Sequence, residues 1–287
     1  MKTKITLFVV VSLQLVNWHI YSQQPFMVKD INPGSPSSLN RFLVTNNNAL
    51  FFDANDGASG SKLWKNDGTN AGTEMVKDIF PGSGSSLFIN SIPTGYTGTL
   101  YFSADNGING YELWKSDGTA IGNVMINNIY IGSNIYKLPD SLVPYSLTNV
   151  SNTLFFATYD TINGNKLWKS DGTVAGTAKV KETRLGTFNY RSFPGGLTNA
   201  NGVLCFITND GINGKEIWKS DGTEAGTTVV KDLCAGACTL NLNKFIYLNS
   251  STYFVANDGI IGRQIFKTDG TANGTIGINI LNLIGDS

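Results

Sequence analysis

One octet, met five times along the chain, limits what it can fold into more than any other feature. Lys62-Leu63-Trp64-Lys65-Asn66-Asp67-Gly68-Thr69 returns as Glu112-Leu113-Trp114-Lys115-Ser116-Asp117-Gly118-Thr119 and as Lys166-Leu167-Trp168-Lys169-Ser170-Asp171-Gly172-Thr173. Glu216-Ile217-Trp218-Lys219-Ser220-Asp221-Gly222-Thr223 and the looser Gln264-Ile265-Phe266-Lys267-Thr268-Asp269-Gly270-Thr271 complete the set. The aromatic anchors stand at 64, 114, 168, 218 and 266, at spacings of 50, 54, 50 and 48. No segment shows sustained apolar spacing of the helical period, so the repeating unit is expected to be built from strands.

Turn chemistry and apolar runs divide each unit into four short strands, a to d. In the second unit these are Phe88–Ile92, Leu100–Ala104, Tyr111–Lys115 and Val124–Ile129. The loop between b and c, Asp105-Asn106-Gly107-Ile108-Asn109-Gly110, is dense in residues that accept positive φ. Asp117-Gly118 suits a tight hairpin between c and d, with Thr119 re-entering the strand. Leu113 and Trp114 are both apolar yet point to opposite sides, so each sheet must be covered twice. Four antiparallel strands, a period near 50 and two-sided burial describe an all-β fold, a β-propeller of about five four-stranded antiparallel blades. The units run roughly over 40–80, 87–130, 142–182, 195–233 and 243–281. Phe26-Met27-Val28-Lys29-Asp30-Ile31 matches Met75-Val76-Lys77-Asp78-Ile79, which predicts an extra N-terminal strand over 26–31 and leaves two ways to close the ring.

The amino terminus reads as an address. Lys2 and Lys4 precede an apolar run from Ile5 to Val16, too short to span a bilayer, and Ser22 offers a cleavage point. Residues 1–22 are therefore expected to be a signal peptide, and 23–287 a single repeat domain without a transmembrane segment. The whole chain balances 21 cations against 21 anions. Cleavage would leave 19 against 21 and would remove His19, the sole histidine. That balance disfavours nucleic acid as a partner, and imidazole chemistry drops out of the mature protein.

The complete motif in Glu112-Leu113-Trp114 followed by Asp117-Gly118-Thr119 resembles the ELWxxDGT repeat family of bacterial secreted and surface proteins, sometimes labelled hyalin-like. The likeness covers the whole mature chain, although Phe266 replaces tryptophan and other copies vary at the first two positions. It implies export and a repeat fold, and it assigns no reaction.

The recurrent residues read as structural. Asp67, Asp117, Asp171, Asp221 and Asp269 cap their own turns. Trp64, Trp114, Trp168, Trp218 and Phe266 wedge between blades, with each indole N–H bound to a loop carbonyl. No cofactor is expected. Calcium is the one ion the b–c loop oxygens of Asp53, Asp56, Asp105 and Asn109 would suit. Cys205 reads as a buried apolar side chain, and Cys234 with Cys238 as a local disulfide of an exported protein.

Binding sites tend to break a repeat, and the d–a loops break this one. The third and fourth carry Tyr136, Lys137 and Asp140, then Glu182, Arg184, Tyr190, Arg191 and Phe193, a patch with the residue types of interface hot spots. The expected function is a non-catalytic secreted or cell-surface protein that binds protein or glycan through one propeller face. Two alternatives are a spacer, or truncated part, of a larger surface protein, and a carbohydrate-active propeller enzyme using paired carboxylates. Only five glutamates occur, and Glu112 and Glu216 sit at repeat positions, which weakens the enzyme reading.

Overall fold

Each octet forms the third strand of a four-stranded antiparallel sheet, and five such sheets follow one another along the chain in the computed structural model. It describes residues 26–34, 37–38, 42–87, 92–127, 129, 143–160, 164–184, 194–212, 214–233, 245–257 and 262–278. The first sheet contains β1 (Leu43–Asn46), β2 (Ala49–Asn55), β3 (Ser61–Asn66) and β4 (Glu74–Met75). The second contains β5 (Thr94–Tyr96), β6 (Thr99–Asp105), β7 (Tyr111–Ser116) and β8 (Val124–Asn127). The third contains β9 (Tyr145–Val150), β10 (Thr153–Asp160), β11 (Gly164–Ser170) and β12 (Ala178–Arg184). Strands β13 (Gly195–Ala200), β14 (Val203–Asn209), β15 (Lys215–Ser220) and β16 (Thr228–Lys231) form the fourth. The fifth contains β17 (Phe245–Leu248), β18 (Ser251–Asn257), β19 (Arg263–Thr268) and β20 (Ile276–Ile278). Strand order follows chain order within every sheet, and no helix occurs among the described residues.

First strands of neighbouring sheets touch in succession, from β1 to β5, β9, β13 and β17, as blades do around a propeller axis. Among the described residues β17 makes no comparable contact with β1. Burial is two-sided, as the strand pattern requires. Phe51, Leu63, Phe102 and Trp114 share the cluster between the first two blades, and Tyr101, Leu113, Leu154 and Phe156 the next. Phe155, Leu167, Phe206 and Trp218 fill the third joint, and Ile207, Ile217, Phe254 and Phe266 the fourth. Trp114 thus faces the preceding blade and Leu113 the following one.

Strand d bulges opposite the tryptophan. Leu113 pairs with Asn127 but Trp114 with Met125, so Ile126 is extra to the ladder. The side chains of Ile126, Val180 and Val230 occupy this place in successive blades and are buried.

Three expectations need correction. Strand a of the second blade is Thr94–Tyr96, beyond the segment predicted. It turns into strand b through Thr97 and Gly98, both at positive φ, as Asn47 and Asn48 do in the first blade. Such turns match the twist of paired strands, which places the hairpin here despite a glycine in its first strand. Secondly, Asp117-Gly118 begins a longer c–d connection instead of a two-residue hairpin, and Thr119 does not re-enter the strand. Thirdly, residues 26–31 form no strand, and no strand among the described residues pairs with them. They lie instead where a preceding blade would put its strand d. Lys29 Nζ donates to Thr73 O at 2.6 Å, just as Lys77, Lys181 and Lys231 reach Asn123, Thr227 and Thr275 in the next blade. Ile31 packs beside Phe52, Ala54 and Trp64, covering the first blade's leading side.

Candidate functional site: the loop face

The Asp-Gly-Thr segments belong to a self-contained connection. Asp117 Oδ1 accepts the N–H of Thr119 at 2.8 Å and its hydroxyl at 2.7 Å, and Thr119 Oγ1 accepts the N–H of Gly122 at 3.0 Å. The same bonds recur around Asp67, Asp171, Asp221 and Asp269. Each carboxylate is held below its ordinary pKa, first by the threonine hydroxyl and then by the threonine N–H. These aspartates are occupied in holding their own turns.

The anchors pack as wedges, but the expected bond from indole N–H to a loop carbonyl is not seen: the N–H groups of Trp64 and Trp218 have no partner among the described residues, and the other two find a different one. Trp114 Nε1 donates to Ala104 O at 2.9 Å and Trp168 Nε1 to Thr158 Oγ1 at 2.9 Å, so the acceptor lies in strand b of the same blade. Rings of strand b stack beside them, as Phe156 does on Trp168 at 6.2 Å between centroids.

The b–c loops and the d–a exit loops lie together on one face of the molecule. A Cβ placed on Gly107, in a b–c loop, would stand 2.8 Å from Phe80 of the preceding exit loop. Loop oxygens here serve turns: Asp56 Oδ1 accepts the N–H groups of Ala58 and Ser59, and Asp105 Oδ1 accepts that of Gly107. Asn109 Nδ2 points at Met125 Sδ, at 3.6 Å. Asp53 departs from the expectation of a loop ligand. It sits within β2, fully buried, accepting bonds from Phe42 N and Ser61 Oγ at 3.3 Å. Strand alternation turns its carboxylate into the joint, away from the loop oxygens. Among the described residues no three His, Cys, Asp or Glu side chains gather as a metal would need.

The first residue of the octet has a role the sequence did not disclose. Glu112 Oε2 accepts the N–H of Ile129 at 2.8 Å, and Glu216 Oε2 that of Leu233 at 2.9 Å. Lys62 does the converse, donating to the carbonyls of Phe80 and Gly84, the latter at 2.9 Å, and pairing with Asp78 at 2.5 Å. All three side chains are buried, and each pins the start of an exit loop. The alternation of Lys and Glu at this one position was the available signal. Burial pushes the Glu216 carboxyl up to about 8, aided by Asp232 and Asp210 and opposed by the Leu233 N–H. Its Oε1 has no hydrogen-bond partner among the described residues.

The expected patch is only partly in view. Glu182 lies in β12 opposite Lys166, where its Oε1 accepts a bond from Lys179 Nζ at 2.7 Å. The backbone of Arg184 ends the same strand, paired with Asn165. Between them Thr183 Oγ1 accepts a bond from Thr208 of the next blade. Tyr136, Lys137, Asp140, Tyr190, Arg191 and Phe193 lie outside the described residues, as do Cys234 and Cys238. Cys205 is a buried free thiol. The b–c loop also carries an exposed isoleucine that no sequence pattern marks, Ile108 in the second blade and Ile212 in the fourth, at 87% and 82% exposure.

No family model matches the chain, and no curated protein matches it. Among solved structures it is similar to two crystal structures of puromycin hydrolase, at 10–11% identity and a TM-score of 0.51. The alignments cover 85–86% of this chain and 39–40% of the hydrolase, so the chain spans about two fifths of that protein's length. At such identity the likeness speaks for the fold alone. The chain is an all-β propeller of four-stranded antiparallel blades.

Proposed function

We propose that this protein is a non-catalytic, exported member of the ELWxxDGT repeat family that binds protein or glycan at the cell exterior through its loop face. One observation carries the reading: the recurrent polar side chains are engaged in holding the repeat together, and several of those bonds fix where the exit loops begin. Glu112, Glu216 and Lys62 each spend a buried polar group on a loop start. Variation is thereby directed into the loops, and the third and fourth carry aromatic and basic residues that suit recognition. Exposed Ile108 and Ile212 add apolar surface on the same side. The test is a glycan array with panels of purified surface proteins, followed by Tyr190→Ala combined with Arg191→Ala. Loss of binding with unchanged melting supports the assignment. Unchanged affinity, or turnover on a polysaccharide panel, would overturn it.

A further inference from the structure

Each of the four joints uses one lock. A lysine of strand c reaches from one blade to the Asp-Gly-Thr turn of the next, and at the first three joints an aromatic residue of strand b does so too; at the fourth, where strand b carries Cys205, nothing stands within 4 Å of a Cβ at Gly270. Lys115 Nζ donates to Gly172 O at 2.8 Å, and Lys219 Nζ to Gly270 O at 2.9 Å. A Cβ on Gly172 would stand 2.6 Å from the hydroxyl of Tyr101, and on Gly222 3.3 Å from the ring of Phe155. At Gly118 it would stand 3.3 Å from the ring of Phe51 and 3.9 Å from Lys65 Cδ. The lysine charge also lies within reach of the turn carboxylate, in the pairs Lys65–Asp117, Lys115–Asp171, Lys169–Asp221 and Lys219–Asp269.

Two halves of a fifth lock have no counterpart among the described residues. On the fifth blade the corresponding residues are Tyr253 and Lys267, both half-buried, and Lys267 has no partner among the described residues. Its neighbours on that side, Val255 and Ile265, are half-buried too, although Leu63, Leu113, Leu167 and Ile217 in the place of Ile265 are wholly buried. On the first blade nothing stands within 4 Å of a Cβ at Gly68, a feature Gly270 shares although Lys219 of the fourth blade reaches its carbonyl. A groove of about 690 Å³ opens there, lined by Thr45 to Leu50 and Asn66 to Gly68. Among the described residues only segment 26–34 lies on that side, in the strand-d place.

We propose that two copies of this chain dock head to tail, the fifth blade of one seating Tyr253 and Lys267 on the Asp67-Gly68 turn of the other. In charge, Lys267 has no turn carboxylate of a following blade among the described residues, and Asp67 meets only Lys65 of its own blade, which also serves Asp117. Shape matches as well: Lys29 of the acceptor already supplies the strand-d contact. Such a heterologous contact leaves a free half at each end, so association proceeds to longer assemblies or to a closed ring of copies.

The test mixes heavy-nitrogen-labelled and unlabelled full chain, applies a zero-length carbodiimide cross-linker and maps the products by mass spectrometry. Light scattering across a hundredfold dilution series gives the mass. Expected are concentration-dependent species of at least two chains and Lys267–Asp67 cross-links of mixed isotope. Lys267→Glu and, separately, Tyr253→Ala should each weaken association at least tenfold with unchanged circular dichroism. Ile121→Glu, at a residue 90% exposed elsewhere on the surface, should not. A single-chain mass at every concentration overturns the proposal. Cross-links confined to one isotope also overturn it, because they would mean that the chain closes on itself.

Discussion

The Nζ of Lys115 donates to the backbone oxygen of Gly172 at 2.8 Å across 57 residues, so a side chain of one blade terminates in the turn of the next. A hydrogen bond from a charged donor contributes about 1.5–3 kcal/mol, and losing it leaves a partly buried carbonyl unsatisfied. Lys115→Met keeps most of the aliphatic stem and removes only the donor. It should lower unfolding free energy by about 1–2 kcal/mol in a denaturant titration. Lys267→Met, at the matching position of the fifth blade, should change the stability of dilute protein by less than about 0.5 kcal/mol. Equal losses at both positions would show that the lysine acts within its own blade.

The second half of the c–d connection is as constrained as its first. A Cβ on Gly226 would fall 2.1 Å from Asp221 Oδ1, and the same collision recurs at Gly72, Gly122, Gly176 and Gly274. Gly226→Ala must therefore displace the carboxylate from Thr223. The expected loss is about 1–3 kcal/mol, the usual cost of forcing atoms into a filled site. The relevant measurement is a double-mutant cycle with Asp221→Ala. In that background the alanine at 226 should cost much less, and an undiminished cost would assign the effect to backbone strain.

How far the sequence could be read follows from which contacts are local. Asp117 and Thr119 lie two apart and recur five times, so the cap is visible in the letters, whereas the reach of Thr119 to Gly122 is not. Strand c was placed well because Leu113 and Trp114 demand opposite apolar surroundings. By contrast, the hairpin at Thr97-Gly98 depends on two positive φ angles that no apolar pattern announces. The letters around Lys29 match those around Lys77 and suggest a strand. The bond of Lys29 to Thr73, 44 residues on, can be seen only once the blades are side by side. The candidate patch was legible as a break in the repeat, but long loops without periodicity carry no pattern that fixes side-chain geometry.

Cys205 takes the strand-b place held by Phe51, Tyr101 and Phe155 in earlier blades, and it is almost wholly buried. Burial pushes its thiol up to about 11, with Lys219 pulling weakly the other way. The thiolate is the reactive form, so the native protein should leave Cys205 unmodified by a maleimide at pH 8. Peptide mapping after labelling in denaturant should then find the same cysteine fully alkylated. Native labelling at Cys205 comparable with that in denaturant would show that the fourth joint opens readily.

Glu216 should make stability depend on pH. Its carboxyl titrates near 8 in the folded protein against an ordinary value near 4.5. Between those values the folded state binds a proton that the unfolded state has released, so unfolding free energy must fall as pH rises. The stabilisation is complete below about pH 4.5 and lost progressively up to about pH 8, when an uncompensated charge forms beside Asp232 and Asp210. Glu216→Gln preserves an acceptor for the Leu233 N–H and cannot ionise. The melting temperature of the variant should therefore vary less than that of the parent from pH 5 to 8, and the two curves should separate most at the alkaline end. Parallel curves across that range would mean that the carboxyl ionises without cost, in contact with water.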